Sequence, residues 1–229
     1  MTMAAAGFAY AMARLHARLA ARRSEAEWQQ LEASLDFAHA LELAGRGASA
    51  RSTRQLTRES GVHEVEAVLR QVAAADLAEI AGWLPPRWRE LALWLGQLPY
   101  LRAREAAAED GAAPDWLEPG GEAWVGAGAD AAGEWRAEWA RRCRKAGGAG
   151  AISAVLAPLL ARFLGASSGD RPAGAVPTGW AGLERYFLKA FRTGQGGPAG
   201  VFAFLGLLVL DNERLRGVLV GHAVFAGGA

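Results

Sequence analysis

Gly165-Ala166-Ser167-Ser168-Gly169 fits the G-x-S-x-G string of a nucleophile elbow. An elbow presents its serine on a strained turn between a strand and a helix. Here helical periodicity precedes the string and a Gly/Ser/Pro-rich stretch follows it, so the context predicts a loop. Gly-rich pieces at 126–133 and 147–150 follow no strand and lack the Gly-Lys-Ser/Thr ending of a phosphate loop, so they too read as loops. Asp36 and His39 have a spacing that can place two metal ligands on one helix face. A di-metal bundle needs matching Glu-x-x-His motifs on other helices, and the sequence has none; His39 reads as a surface or capping residue. The other histidines, His16, His63 and His222, are scattered. Cys143 is the single cysteine, which excludes an internal disulfide framework and a multi-thiolate zinc site. No catalytic residue, cofactor or metal is expected.

The charged residues carry a different message. The 229-residue chain has 25 basic and 24 acidic side chains, and only Lys145 and Lys189 of the basic set are lysines. Arg14, Arg18, Arg22 and Arg23 can line one helix, and Arg51, Arg54 and Arg58 recur in the following loop. Near-neutral net charge and the lack of a recognised motif argue against nucleic-acid binding. Arginine also serves protein interfaces, through its planar fork and weak hydration.

The elements that must position these groups are helices. Phe8, Met12, Leu15 and Leu19 share one helical face. Ser24-Glu25-Ala26-Glu27 is a capping box opening a helix with Trp28, Leu31 and Leu35 on its apolar side. Phe37, Leu41 and Ala44 continue a helical stripe that Gly45-Arg46-Gly47 ends. Residues 46–60 read as a loop with a short helical turn. A longer helix from about Val62 buries Val65, Val68, Leu69, Val72, Leu77 and Ile80. It stops at Trp83-Leu84-Pro85-Pro86, since proline lacks the N–H and disfavours helix just before it. Pro86 then opens a helix with Trp88, Leu91, Trp94 and Leu95 inward, and Leu98-Pro99-Tyr100-Leu101 is a second break.

Residues 107–133 are punctuated by Gly and Pro but hold Trp116 and Trp124, so we expect an irregular, packed connection. Helices resume with Trp135, Trp139 and Cys143 on one narrow face, then Ile152, Leu156, Leu159 and Phe163 around Pro158. Trp180, Leu183, Phe187 and Phe191 make the penultimate helix, and Pro198 opens the last, which runs to about Phe225. Its apolar run at 199–210 is twelve residues, short of the roughly 20 that a span needs, so it predicts a buried core helix. The opening Met1-Thr2-Met3-Ala4-Ala5-Ala6 lacks the basic start of a secretory signal, and a cytoplasmic location is expected. The fold class expected is all-α: two packed helical bundles, 1–106 and 134–229, joined by the irregular connection 107–133.

Three stretches together resemble a family. They are Phe8-Ala9-Tyr10-Ala11-Met12-Ala13-Arg14-Leu15-His16-Ala17-Arg18-Leu19, the block from Val65 through Trp88, and Phe202 to Leu205 with Asp211-Asn212-Glu213-Arg214-Leu215-Arg216-Gly217-Val218-Leu219-Val220-Gly221. The pattern looks like the membrane-side central-stalk subunit of V-type ATPases, a family with prokaryotic and eukaryotic members, in a shortened and divergent form. The resemblance implies a non-catalytic socket that seats the central rotor shaft on the membrane proteolipid ring and couples ATP-driven rotation to ion transport. It implies contacts with other stalk subunits and the rotor ring, on the cytoplasmic face of the membrane and without a span of its own. It also singles out Tyr10, Arg14, Arg18, Trp83, Trp88, Glu213, Arg214 and Arg216 as partner-contact or interhelical residues. The alternative reading is a helical ligand-binding protein or enzyme whose Trp-rich middle walls an apolar pocket.

Overall fold

The computed structural model describes residues 3–47, 50–110, 130–147, 149–164, 179–194 and 196–226. Every regular element among them is helical: α1 (Met3–Ala20), α2 (Glu25–Glu32), α3 (Phe37–Ala44), α4 (Ala50–Thr53), α5 (Val62–Trp83), α6 (Pro86–Leu95), α7 (Leu101–Asp110), α8 (Ala131–Ala146), α9 (Ala149–Leu164), α10 (Trp180–Thr193) and α11 (Pro198–Ala226). A 3-10 turn, Leu98–Tyr100, links α6 to α7 at the second proline break. The chain is an all-α helical bundle.

The local signals act as chemistry requires. Ser24 caps α2 by accepting from the Glu27 backbone N–H, while the Glu27 carboxylate accepts from the Ser24 N–H at 2.7 Å. Asp36 caps α3 in the same way, with Oδ1 accepting from the His39 N–H at 2.8 Å. The Asp36/His39 spacing is therefore a cap. Leu35 departs from expectation. It lies beyond the end of α2, between two caps, and is 87% exposed.

Helix α11 organises the rest. Its first half is apolar on every side, with Val201, Phe202, Ala203, Phe204, Leu205 and Leu207 all buried. A helix with no polar stripe must be surrounded, and α1, α5, α9 and α10 pack around it. Two glycines let α10 approach closely. A Cβ on Gly206 would stand 2.6 Å from the Phe187 ring, and one on Gly200 would stand 2.6 Å from the Gly194 carbonyl oxygen.

The apolar interior does not divide at 107–133. One core joins Phe8, Leu15, Ile80, Trp88 and Leu91 to Trp135, Trp139, Leu156, Phe187 and Phe202. A second joins Trp28, Leu31, Phe37, Val65 and Leu69 to Leu215, Leu219 and Ala223. Each draws on both of the expected bundles, because α11 threads both cores. The ends of the expected connection are helical, as α7 runs to Asp110 and α8 begins at Ala131. Trp116, Trp124 and the glycines at 126–128 lie outside the described residues, as do 165–169.

Trp88, Trp94, Trp135 and Trp139 fill space in the core. Trp94, Trp135 and Trp139 stack with ring centroids 6.5 and 5.2 Å apart, and Trp139 meets Phe202 edge-on at 6.3 Å. The Trp135 indole N–H donates to the Trp94 carbonyl at 3.3 Å. An indole buried this way removes roughly 200 Å² from water, on the order of 5 kcal/mol as an upper estimate. Cys143 completes the α8 face as a buried small hydrophobe, its thiol pKa pushed up by burial.

Candidate functional site

Tyr10, Arg14 and Arg18 occupy one face of α1 because they are spaced by four residues. Trp83 ends α5 at the Pro85-Pro86 stop and faces them. The Arg14 guanidinium carbon lies 4.7 Å from the Trp83 ring centre and 5.6 Å from that of Tyr10, and Arg14 donates to Tyr10 Oη at 2.9 Å. Arg18 stands 5.2 Å from the same Trp83 ring. Its fork binds Glu79 at 2.6 Å and Asp76 at 3.4 Å. Arg51, from α4, reaches the same two carboxylates at 3.4 and 3.5 Å. Tyr10 is 53% exposed, an unusual position for so large an apolar ring.

Four of the eight expected site residues thus form one surface on α1 and α5. Asp76, Glu79 and Arg51 belong to it and were not anticipated. The i, i+3 pair Asp76/Glu79 was visible in the sequence, but nothing in the sequence placed it opposite Arg18.

Trp88 is not on this surface. It is 2% exposed and packs against Phe8 and Phe202 at 5.8 and 6.2 Å, so its role is interhelical.

Glu213, Arg214 and Arg216 stand on the second half of α11, where charged residues interrupt the apolar helix; the two arginines pair across to neighbouring helices, and Glu213 pairs with Arg216 one turn away. Arg214 binds Glu25 at 2.8 Å and Glu32 at 2.5 Å on α2, with its guanidinium 5.0 Å from the Trp28 ring. The Arg214 hydrogen bond holds the Glu25 carboxyl below its usual range. Arg216 binds Glu66 of α5 at 2.6 Å and Glu213 at 3.6 Å. The Glu66 side chain is 4% exposed. Burial pushes the Glu213 carboxyl up, with Glu66 beside it adding to the effect and Arg216 opposing it. A third group, missed in the sequence, closes the girdle. Arg22 forks onto both Asp211 oxygens at 2.7 Å and reaches Glu184 at 3.2 Å. Burial still pushes the Asp211 carboxyl up. In all three groups one guanidinium serves two carboxylates.

Beside this girdle, Trp180, Glu213, His222 and Phe225 wall an open cavity of about 420 Å³. Its floor is Gly217 and Gly221, where an added Cβ would meet nothing within 4 Å. His222 Nε2 and Ser34 Oγ share a hydrogen bond at 2.8 Å. No group of three or more metal-binding side chains occurs among the described residues, and no described helix is long and apolar enough to cross a membrane. Comparison with protein-family models, curated proteins and solved structures gives no match.

Proposed function

We propose that this protein is a non-catalytic adaptor that seats the central rotor stalk of a V-type ATPase on its membrane proteolipid ring. The observation that carries the reading is the exposed surface built from Tyr10, Arg14, Arg18 and Trp83. Tyrosine, tryptophan and arginine are the residue types that dominate binding energy at protein interfaces. The three stretches that resemble the stalk family also converge in space. The opening helix meets the second stretch at Trp83 and packs on α11, which carries the third. In this reading the α11 girdle stiffens the scaffold, the Tyr10–Arg14–Trp83 surface meets another stalk protein, and the chain sits on the cytoplasmic face of the membrane through protein contacts.

A tagged chain purified from native membranes under mild detergent tests this. V-type ATPase subunits are expected in the eluate in fixed ratio to the chain. An eluate without them overturns the reading.

A further inference from the structure

We infer that the surface around Arg14 receives a carboxylate from an acidic segment of a partner protein. This rests on the adaptor reading and supplies the chemistry of its contact.

Charge matching around Trp83 carries the inference. Arg18 and Arg51 face Asp76 and Glu79, two cations against two anions within 3.5 Å. Arg14 lies outside that balance. It is exposed, and among the described residues its contacts are the Tyr10 hydroxyl and the rings of Tyr10 and Trp83. A guanidinium offers five N–H donors, and Tyr10 takes one of them. Ring contacts hold the guanidinium in place without satisfying the rest. A fork held in this way loses less freedom on binding, and its geometry fits a carboxylate or phosphate through two parallel bonds.

The setting favours the carboxylate. A nucleic-acid backbone brings closely spaced charges. Beside Arg14 the patch offers a polyanion no further unmatched cation among the described residues, because Arg18 and Arg51 are already balanced by Asp76 and Glu79. Near-zero net charge provides no long-range attraction for a polyanion either. A protein segment can place one Asp or Glu on Arg14 and apolar side chains on the exposed Tyr10 and half-buried Trp83.

A photo-crosslinking amino acid at Ala17 reads this out in the native cell, using the full chain. Ala17 is exposed, three residues from Arg14 and on the face shared with Tyr10, so the patch stays intact. The expected product is a peptide of another protein with Asp or Glu at the captured position. Arg14→Glu should lower its yield at least tenfold, a loss in the range of interface arginines, roughly 1.4 kcal/mol or more. Changing the captured Asp or Glu to Arg should restore the yield in the Arg14→Glu background. Thermal melting of Arg14→Glu guards against a folding artefact. Capture of nucleic acid, lipid, a second copy of this chain or a segment without a carboxylate overturns the inference. So does an unchanged yield in Arg14→Glu, or no product at all. An acidic segment from a protein outside any V-type ATPase leaves the inference standing and removes the adaptor reading. Co-purification with the ATPase alongside a non-acidic capture does the reverse.

Discussion

Arg14 and Arg216 are both arginines on helix faces, yet their surroundings assign them to different tasks. Arg216 is held by two carboxylates, one of them on the buried side of α5. Arg14 stands on the exposed ring of Tyr10 and the half-buried ring of Trp83, with no carboxylate partner among the described residues. The difference follows from where each helix runs. α11 passes through the interior, and a charge there must be compensated or it destabilises the fold. The outer face of α1 touches water, where an unmatched charge costs little. Arg214 and Arg216 are thus recognised as holding the fold by the carboxylates they share, and Arg14 as available to a partner by having none among the described residues.

Four single substitutions and one double variant test this contrast, beginning with the largest effect. Arg216→Met leaves Glu66 buried without its guanidinium, and stability should fall by about 3 kcal/mol in urea denaturation. Adding Glu66→Leu should recover much of that loss. If the single variant melts like wild type, α11 is not held by buried pairs. Arg214→Met should cost less, about 1 kcal/mol, because Glu25 and Glu32 are nearly half exposed and can return to water. Loss of the guanidinium's contact with Trp28 contributes to it.

Glu213→Gln sharpens the comparison through pH. The folded pKa of Glu213 is raised, so wild type carries a penalty above that pKa that is relieved as pH falls through it. The variant should be more stable at neutral pH by up to about 1 kcal/mol. That advantage should disappear as pH falls toward the unfolded value of about 4.3. Urea midpoints at neutral and acid pH measure it, and an advantage that grows in acid contradicts the sign. Arg14→Gln is the smallest, within about 0.5 kcal/mol of wild type by thermal melting. A large loss there would show that the α1 surface is structural.

Much of the helical pattern was legible in the sequence because its signals are local. The Ser24 capping box, the Pro85-Pro86 stop and the Trp135/Trp139/Cys143 face depend on residues within a turn or two of one another, and each acts as read. Leu35 misled for the same reason. It continues the apolar spacing of α2, but Asp36 caps the next helix, and a local cap overrides periodicity. The expected boundary at 107–133 rests on composition, and composition does not report that α11 joins two cores.

The candidate surface was half visible. Tyr10, Arg14 and Arg18 share a face by arithmetic alone. Trp83 lies far along the chain, and only the packing of α1 on α5 brings it beneath both guanidiniums. The sequence by itself determined an all-α chain, the places where its helices start and stop, and which side of each helix is apolar, since these follow from spacing and backbone chemistry. Only the tertiary structure decided which of 23 arginines are matched. An ion pair depends on distances between helices, and Arg22–Asp211, Arg214–Glu25 and Arg216–Glu66 each join residues at least 150 positions apart.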